Sequence, residues 1–202
     1  MPQNDLIALA TERLTLRYLA EADALALFEI FSHPEVMRYW GGPAWTDMAQ
    51  ARQMVMDSQE GCRTGGVFVF GIERRADQVL VGTCSLFHFH TPSRRAEIGY
   101  ALGRPYWGSG YMHEALLALV NHAFSSLGLN RLEADIDPRN LASARTLERL
   151  GFVKEGHLRE RWIVNDEVSD TDWYGLLRRE WRNIPGSHST QHSAPRPVTC
   201  LP

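Results

Sequence analysis

The residues best suited to chemistry are Tyr106-Trp107-Gly108-Ser109-Gly110-Tyr111-Met112, a glycine loop leading straight into a helical pattern. Two glycines two residues apart let the main chain approach a ligand closely. The first turn of the helix behind them offers unpaired N–H groups and a positive dipole end. A pyrophosphate is the natural guest of such a place, although two glycines also serve a plain tight turn. Spacing argues against the two common nucleotide loops. The Walker pattern needs Lys-Ser or Lys-Thr after its last glycine, where Tyr111-Met112 stands; the dinucleotide fingerprint needs a small residue where His113 stands. His88 and His90, two apart on a strand, share a face that suits a metal, but no third ligand is near in sequence and no metal is expected.

The loop is held between a strand and the most regular helix of the chain. Residues 95–102 read as a strand. Met112, Ala115, Leu116, Leu119, Val120, Ala123, Phe124 and Leu127 recur alternately three and one apart, an apolar stripe that Gly128 is placed to cap. Upstream, residues 13–19 alternate as a strand, and Ala24, Leu25, Leu27, Phe28 and Phe31 suit a helix broken at Pro34. Residues 37–45, with Trp40 and Trp45, read as an aromatic loop suited to the lip of a cleft or to packing; Thr46 or Asp47 can cap a second helix to about Gly61. Runs at 67–73, 79–89 and 95–102, separated by polar turns, suit antiparallel strands. A strand at 131–136, a helix at 140–150 and strands at 152–163 and 168–177 complete the order. This predicts one α/β domain over 11–182, with a mixed, mostly antiparallel sheet of about seven strands and helices on both faces. Residues 183–202, rich in Ser, His and Pro, are expected to be a disordered tail.

Composition narrows the function classes. With 202 residues and 44% hydrophobic content the chain can bury a core without staples. A formal charge of −3 argues against nucleic acid as the main partner and leaves room for an amine. Three scattered cysteines, Cys62, Cys84 and Cys200, suggest neither a disulfide framework nor a zinc site. No leader or membrane-length run is visible, so a cytoplasmic protein without a membrane partner is expected.

The order of motifs resembles the GNAT superfamily, specifically its RimJ/RimL-like N-acetyltransferases. The matching pieces are Glu97-Ile98-Gly99-Tyr100, the run from Trp107 to Met112 with Glu114-Ala115 behind it, Asn140-Leu141-Ala142-Ser143, and Leu150-Gly151-Phe152. Glu12-Arg13-Leu14-Thr15-Leu16-Arg17 resembles that branch's first strand. Asp172-Trp173-Tyr174-Gly175-Leu176-Leu177 and Glu180-Trp181 resemble its last strand and closing helical turn. The resemblance implies acetyl-CoA as co-substrate, with the amides of Trp107, Gly108, Ser109, Gly110, Tyr111 and Met112 on its pyrophosphate. It implies Tyr100, Ala101 and Leu102 pairing with the pantetheine arm through the main chain, Asn140 and Ser143 facing the arm near the thioester, and Arg145 and Arg149 within reach of phosphates. It departs from the family at Met112, where Gly or Ala is usual, and at Leu147, where many members carry a thiolate-protonating Tyr; Ser143 is the expected substitute.

The implied acceptor is a primary amine, favoured as a protein or peptide N-terminus, with an antibiotic, polyamine or amino acid as the alternative. A sensor that binds acyl-CoA without turnover is a third reading. The resemblance also leaves room for a homodimer. An ammonium must lose a proton before it attacks, so a general base is needed; Glu97 and Glu160 are the candidates, though both also read as solvated strand carboxylates. An N–H on the strand near Ala101 or Leu102 is expected to meet the thioester oxygen.

Overall fold

The computed structural model describes residues 8–181; the expected tail lies outside them. The strands are β1 (Leu9–Ala10), β2 (Leu14–Tyr18), β3 (Phe68–Arg74), β4 (Val79–His90), β5 (Arg95–Leu102), β6 (Arg131–Ile136), β7 (Val153–Val164) and β8 (Glu167–Leu177). The helices are α1 (Ala24–Phe31), α2 (Pro34–Met37), α3 (Met48–Thr64), α4 (Tyr111–Ser125), α5 (Leu141–Arg149) and α6 (Arg178–Trp181). One sheet runs β1-β2-β3-β4-β5-β6-β8-β7, and every described pairing but β5–β6 is antiparallel.

Strand alternation sorts the core into two layers. Phe70, Ile72, Val81, Ala96 and Ile98 pack with the apolar stripe of α4 and with Leu147 of α5, while Val69, Leu80 and Ala101 pack with α1, α2 and α3. Residues of opposite parity on one strand therefore serve opposite faces, and helices cover both. The periodic segments form as their patterns predict. Asp47 caps α3 by accepting from the Ala49 N–H, with Gln50 completing a capping box. The β7–β8 hairpin turns on Asn165 and Asp166, both at positive φ as a two-residue turn of this kind requires.

Two differences have plain causes. The sheet has eight strands because the two residues of β1 pair with Thr15 and Leu16, too short a stretch to show a period. Pro34 does not only end a helix; it occupies the first turn of α2, where its missing N–H is harmless, behind a His33 cap. No helix among the described residues is long and apolar enough to cross a membrane.

Candidate active site

The parallel pair β5–β6 is short. Arg95, Ala96 and Glu97 pair with Arg131, Leu132 and Glu133, and beyond them the strands part. From Ile98 onward β5 is paired only with β4, and from Ala134 onward β6 is paired only with β8. The Gly103 N–H donates to the Val81 carbonyl at 2.9 Å, in register with the Gly82–Leu102 pair. Odd-numbered residues of β5 thus turn their main chain to β4, and Ile98, Tyr100 and Leu102 turn theirs into the gap. The gap is an unpaired strand edge inside a sheet, which an extended amide chain can complete.

The geometry corrects one site expectation and narrows another. The main chain of Ala101 faces Thr83 of β4 and its methyl is buried against the α1–α3 layer, so it offers nothing to the gap. The Leu102 carbonyl already accepts from the Trp107 indole at 2.7 Å, which leaves its N–H for a ligand. Arg104 stacks over that indole at 4.8 Å and pairs with Glu35 at 2.8 Å.

At the end of β5 the chain turns into α4 through Gly108 and Gly110, at φ 75° and 78°. That left-handed conformation is costly with a Cβ, which explains both glycines. Arg13 clamps the loop from β2's side: its guanidinium donates to the Ser109 carbonyl at 3.0 Å, binds Glu114 at 2.7 Å and lies over the Tyr111 ring. Glu114 also accepts from the Thr11 hydroxyl and the Arg13 N–H. Burial works to raise the pKa of Glu114, but these donors hold it below the usual carboxylate range. On α5, exposed Arg149 lies near enough to His113 in the first turn of α4 to act on it electrostatically. Burial first, and that cation second, depress the His113 pKa. Arg145 is exposed one helical turn earlier.

The family model for the acetyltransferase (GNAT) domain matches residues 13–153. The chain belongs to the GNAT acetyltransferase family. It is similar to the uncharacterized N-acetyltransferase p20 of Bacillus licheniformis, 39% identical over 173 residues that cover 86% of this chain and 97% of that one. It is 25% identical to the [ribosomal protein uS5]-alanine N-acetyltransferase of Escherichia coli, over 87% of this chain and 93% of that protein. The crystal structure of a GNAT-family acetyltransferase from Bacillus anthracis superposes with a TM-score of 0.77 at 25% identity, covering 86% of this chain and 100% of that one. The family resemblance read from the motifs therefore holds, and the chain is an acyl-CoA-dependent N-acetyltransferase.

Within this GNAT fold the hydroxyls converge at the gap. Asn140 caps α5 by accepting from the Ser143 N–H at 3.1 Å, and Ser143, 9% exposed, places its hydroxyl 2.7 Å from the Tyr100 phenol. Burial pushes the phenol pKa up, so Tyr100 stays protonated. Sequence reasoning noticed Tyr100 for its main chain and missed its side chain. Strand parity alone puts Tyr100 on the α4 side, but only the packing of α5 shows what it meets. Leu147 is fully buried core.

The other sheet face carries a cavity of about 560 Å³ between residues 34–44, β6 and the β7–β8 hairpin. Tyr39, Trp40 and Trp162 are its aromatic lining, and Asp135 and Asp137 come from β6 and the loop behind it. Trp40 is thus at a cleft lip, whereas the half-buried Trp45 stacks on Phe31 at 4.7 Å against the core. Of the expected bases, Glu97 is largely buried and paired with His88 at 3.1 Å. Glu160 is exposed at φ 51° in a bulge of β7 and does not line the cavity, because the bulge re-aims the strand. A bulge in β4 likewise breaks the period that joined the two histidines; His88 faces Glu97, and His90 accepts from the Ser93 N–H.

Proposed function

We propose that this enzyme moves the acetyl group of acetyl-CoA to a primary amine, and that the amine is a protein or peptide N-terminus. The observation that carries the cofactor reading is the parting of β5 from β6 after Glu97 beside the clamped 107–112 loop. The pyrophosphate would sit on the amides of residues 107–112, with Arg149, and more distantly Arg145, supplying positive charge. The pantetheine arm would lie against Ile98, Tyr100 and the Leu102 N–H as a surrogate strand. Asn140 and Ser143 would face its thioester end. Ser143, backed by the Tyr100 phenol, would return a proton to the leaving thiolate; a thiol pKa near ~8.5 makes that step undemanding. An N–H of Tyr100 or Leu102 would meet the oxygen of the tetrahedral intermediate.

The acceptor class is supported by the likeness to the uS5-alanine N-acetyltransferase, an enzyme named for an alanine of a ribosomal protein, a residue whose side chain carries no amine. A cavity of about 560 Å³ also has the size of a small-molecule site, which favours a compact amine as the second reading. Thermal unfolding with acetyl-CoA, with ATP and NAD as controls, tests the cofactor. At a hundredfold excess over Kd, stabilisation of about 2.7 kcal/mol is expected for acetyl-CoA alone. No shift, or an equal one with ATP, ends the acetyltransferase reading.

A further inference from the structure

The charged residues lining the cavity are four carboxylates, Glu35, Asp135, Asp137 and Glu167, against two guanidiniums, Arg38 and Arg139, so it favours a cation. Three of the carboxylates are already engaged. Glu35 pairs with Arg104 at 2.8 Å, and Asp137 and Glu167 both pair with Arg139 at 2.6 Å. Asp135 has no salt-bridge partner among the described residues; its carboxylate accepts a hydrogen bond from the Trp162 indole, at 3.2 Å. The charges acting on it from neighbouring elements are Arg161 and His88. Burial raises its pKa above the ordinary aspartate value.

Its place on the strand matters as much. Asp135 stands two residues beyond Glu133, the last residue of β6 paired with β5, so it borders the gap. Ala134 and Ile136 face the α4 layer, and alternation turns Asp135 to the cavity side. Across the cavity, a Cβ on Gly41 would meet the Trp162 ring at 3.5 Å, so the 37–45 loop closes on the same side chain that donates to the carboxylate.

We propose that Asp135 is the general base of the transfer, receiving the acceptor's α-ammonium in this cavity and taking its proton. This rests on the acetyltransferase reading above. The neutral nitrogen then attacks the thioester carbon and a C–N bond forms. As the tetrahedral intermediate collapses the C–S bond breaks and its electron pair leaves on sulfur. The nitrogen sheds its second proton as the thiolate gains one by way of Ser143, and Asp135 releases the first to solvent. An α-ammonium, pKa about 7.7–8.0, loses its proton to a carboxylate far more readily than a lysine side chain near 10.4. The aromatic rings suit a cation before it is deprotonated.

The test follows release of the CoA thiol with two acceptors, alanyl-glycyl-glycine amide and Nα-acetyl-lysine amide, alongside melting with acetyl-CoA. Asp135→Asn keeps the size of the side chain and an acceptor for the Trp162 indole. It is expected to lower kcat with the peptide at least a hundredfold, to remove the acidic limb of the pH–rate profile, and to leave the acetyl-CoA melting shift in place. Asp135→Glu should recover part of the rate. Activity of Asp135→Asn within threefold of wild type overturns the proposal, as does the loss falling on Glu97→Gln instead. Wild-type enzyme that binds acetyl-CoA yet acetylates the lysine amide in preference, or neither probe, also overturns it. Absence of the melting shift in wild type is a separate failure, that of the acetyltransferase reading itself.

Discussion

The Ser143 hydroxyl and the Tyr100 phenol lie 2.7 Å apart, so one hydrogen bond ties α5 to β5 beside the gap that opens after Glu97. Either oxygen can donate, and a proton given up by Ser143 can be replaced from the phenol. Ser143→Ala should lower kcat about tenfold to a hundredfold, the low end for a general acid because a thiolate leaves readily. It should also cost about 1 kcal/mol of stability, since the phenol keeps only the distant Ser143 carbonyl, at 3.5 Å. Initial rates at saturating acetyl-CoA and urea unfolding separate the two effects. A kcat unchanged in both Ser143→Ala and Tyr100→Phe would remove the pair from the chemistry.

Glu114 accepts three hydrogen bonds from Thr11 and Arg13, and Arg13 in turn holds the Ser109 carbonyl. Glu114→Ala should therefore loosen the loop as well as the N-terminal strand. About 1–3 kcal/mol of stability should be lost, since partly buried donors are left without a partner. Calorimetric titration should show weaker CoA binding, with a kcat close to wild type at saturation.

Gly110 leads α4 at φ 78°, and a Cβ there would meet only the Arg13 guanidinium, at 3.5 Å. Backbone strain, not a clash, is thus the expected penalty of Gly110→Ala, about 1–2 kcal/mol. Gly108→Ala at φ 75°, with open space around its Cβ, should cost about the same. A much larger loss at Gly108 alone would show that the loop is held by contacts not accounted for by its backbone conformation.

The strand and helix periods, the Asp47 cap of α3 and the glycine loop were legible in sequence because each is a local signal, set by neighbours within a few positions; α4 is capped instead at Ser126, two residues before Gly128. β6 was read to its last residue, Ile136, and a helix was placed from Asn140, the residue that caps α5. The acceptor side was not legible. Asp135 looks like any polar residue of an alternating strand until β5 stops pairing and β7 brings Trp162 against it. The direction of Glu160 and the shared face of His88 and His90 were not legible for one reason: bulges in β7 and β4 break the two-residue repeat from which a side chain's direction is inferred. Ala101 failed differently, since choosing between odd and even residues of β5 needs the β4 register.

Asp23 is buried ahead of α1, where it accepts two bonds from the Arg17 guanidinium at 2.8 Å and one from the Ala20 N–H. Burial pushes its pKa up, but Arg17 and the Ala20 amide outweigh that and hold it below the ordinary value. A carboxylate depressed in the folded state stabilises fully above its unfolded pKa, about 3.9 for aspartate, and loses that contribution as pH falls through the lower folded value. Urea midpoints should therefore be level from pH 7 to about pH 5 and drop steeply below about pH 4. Asp23→Asn should start lower at pH 7, by about 1–3 kcal/mol for the lost charge-assisted bonds, because Arg17 keeps only Glu73 as its ion-pair partner. Its curve should also be flatter below pH 4, so wild type and variant converge in acid. Parallel curves over that range would show that other carboxylates govern acid unfolding and that the Arg17–Asp23 pair contributes only packing.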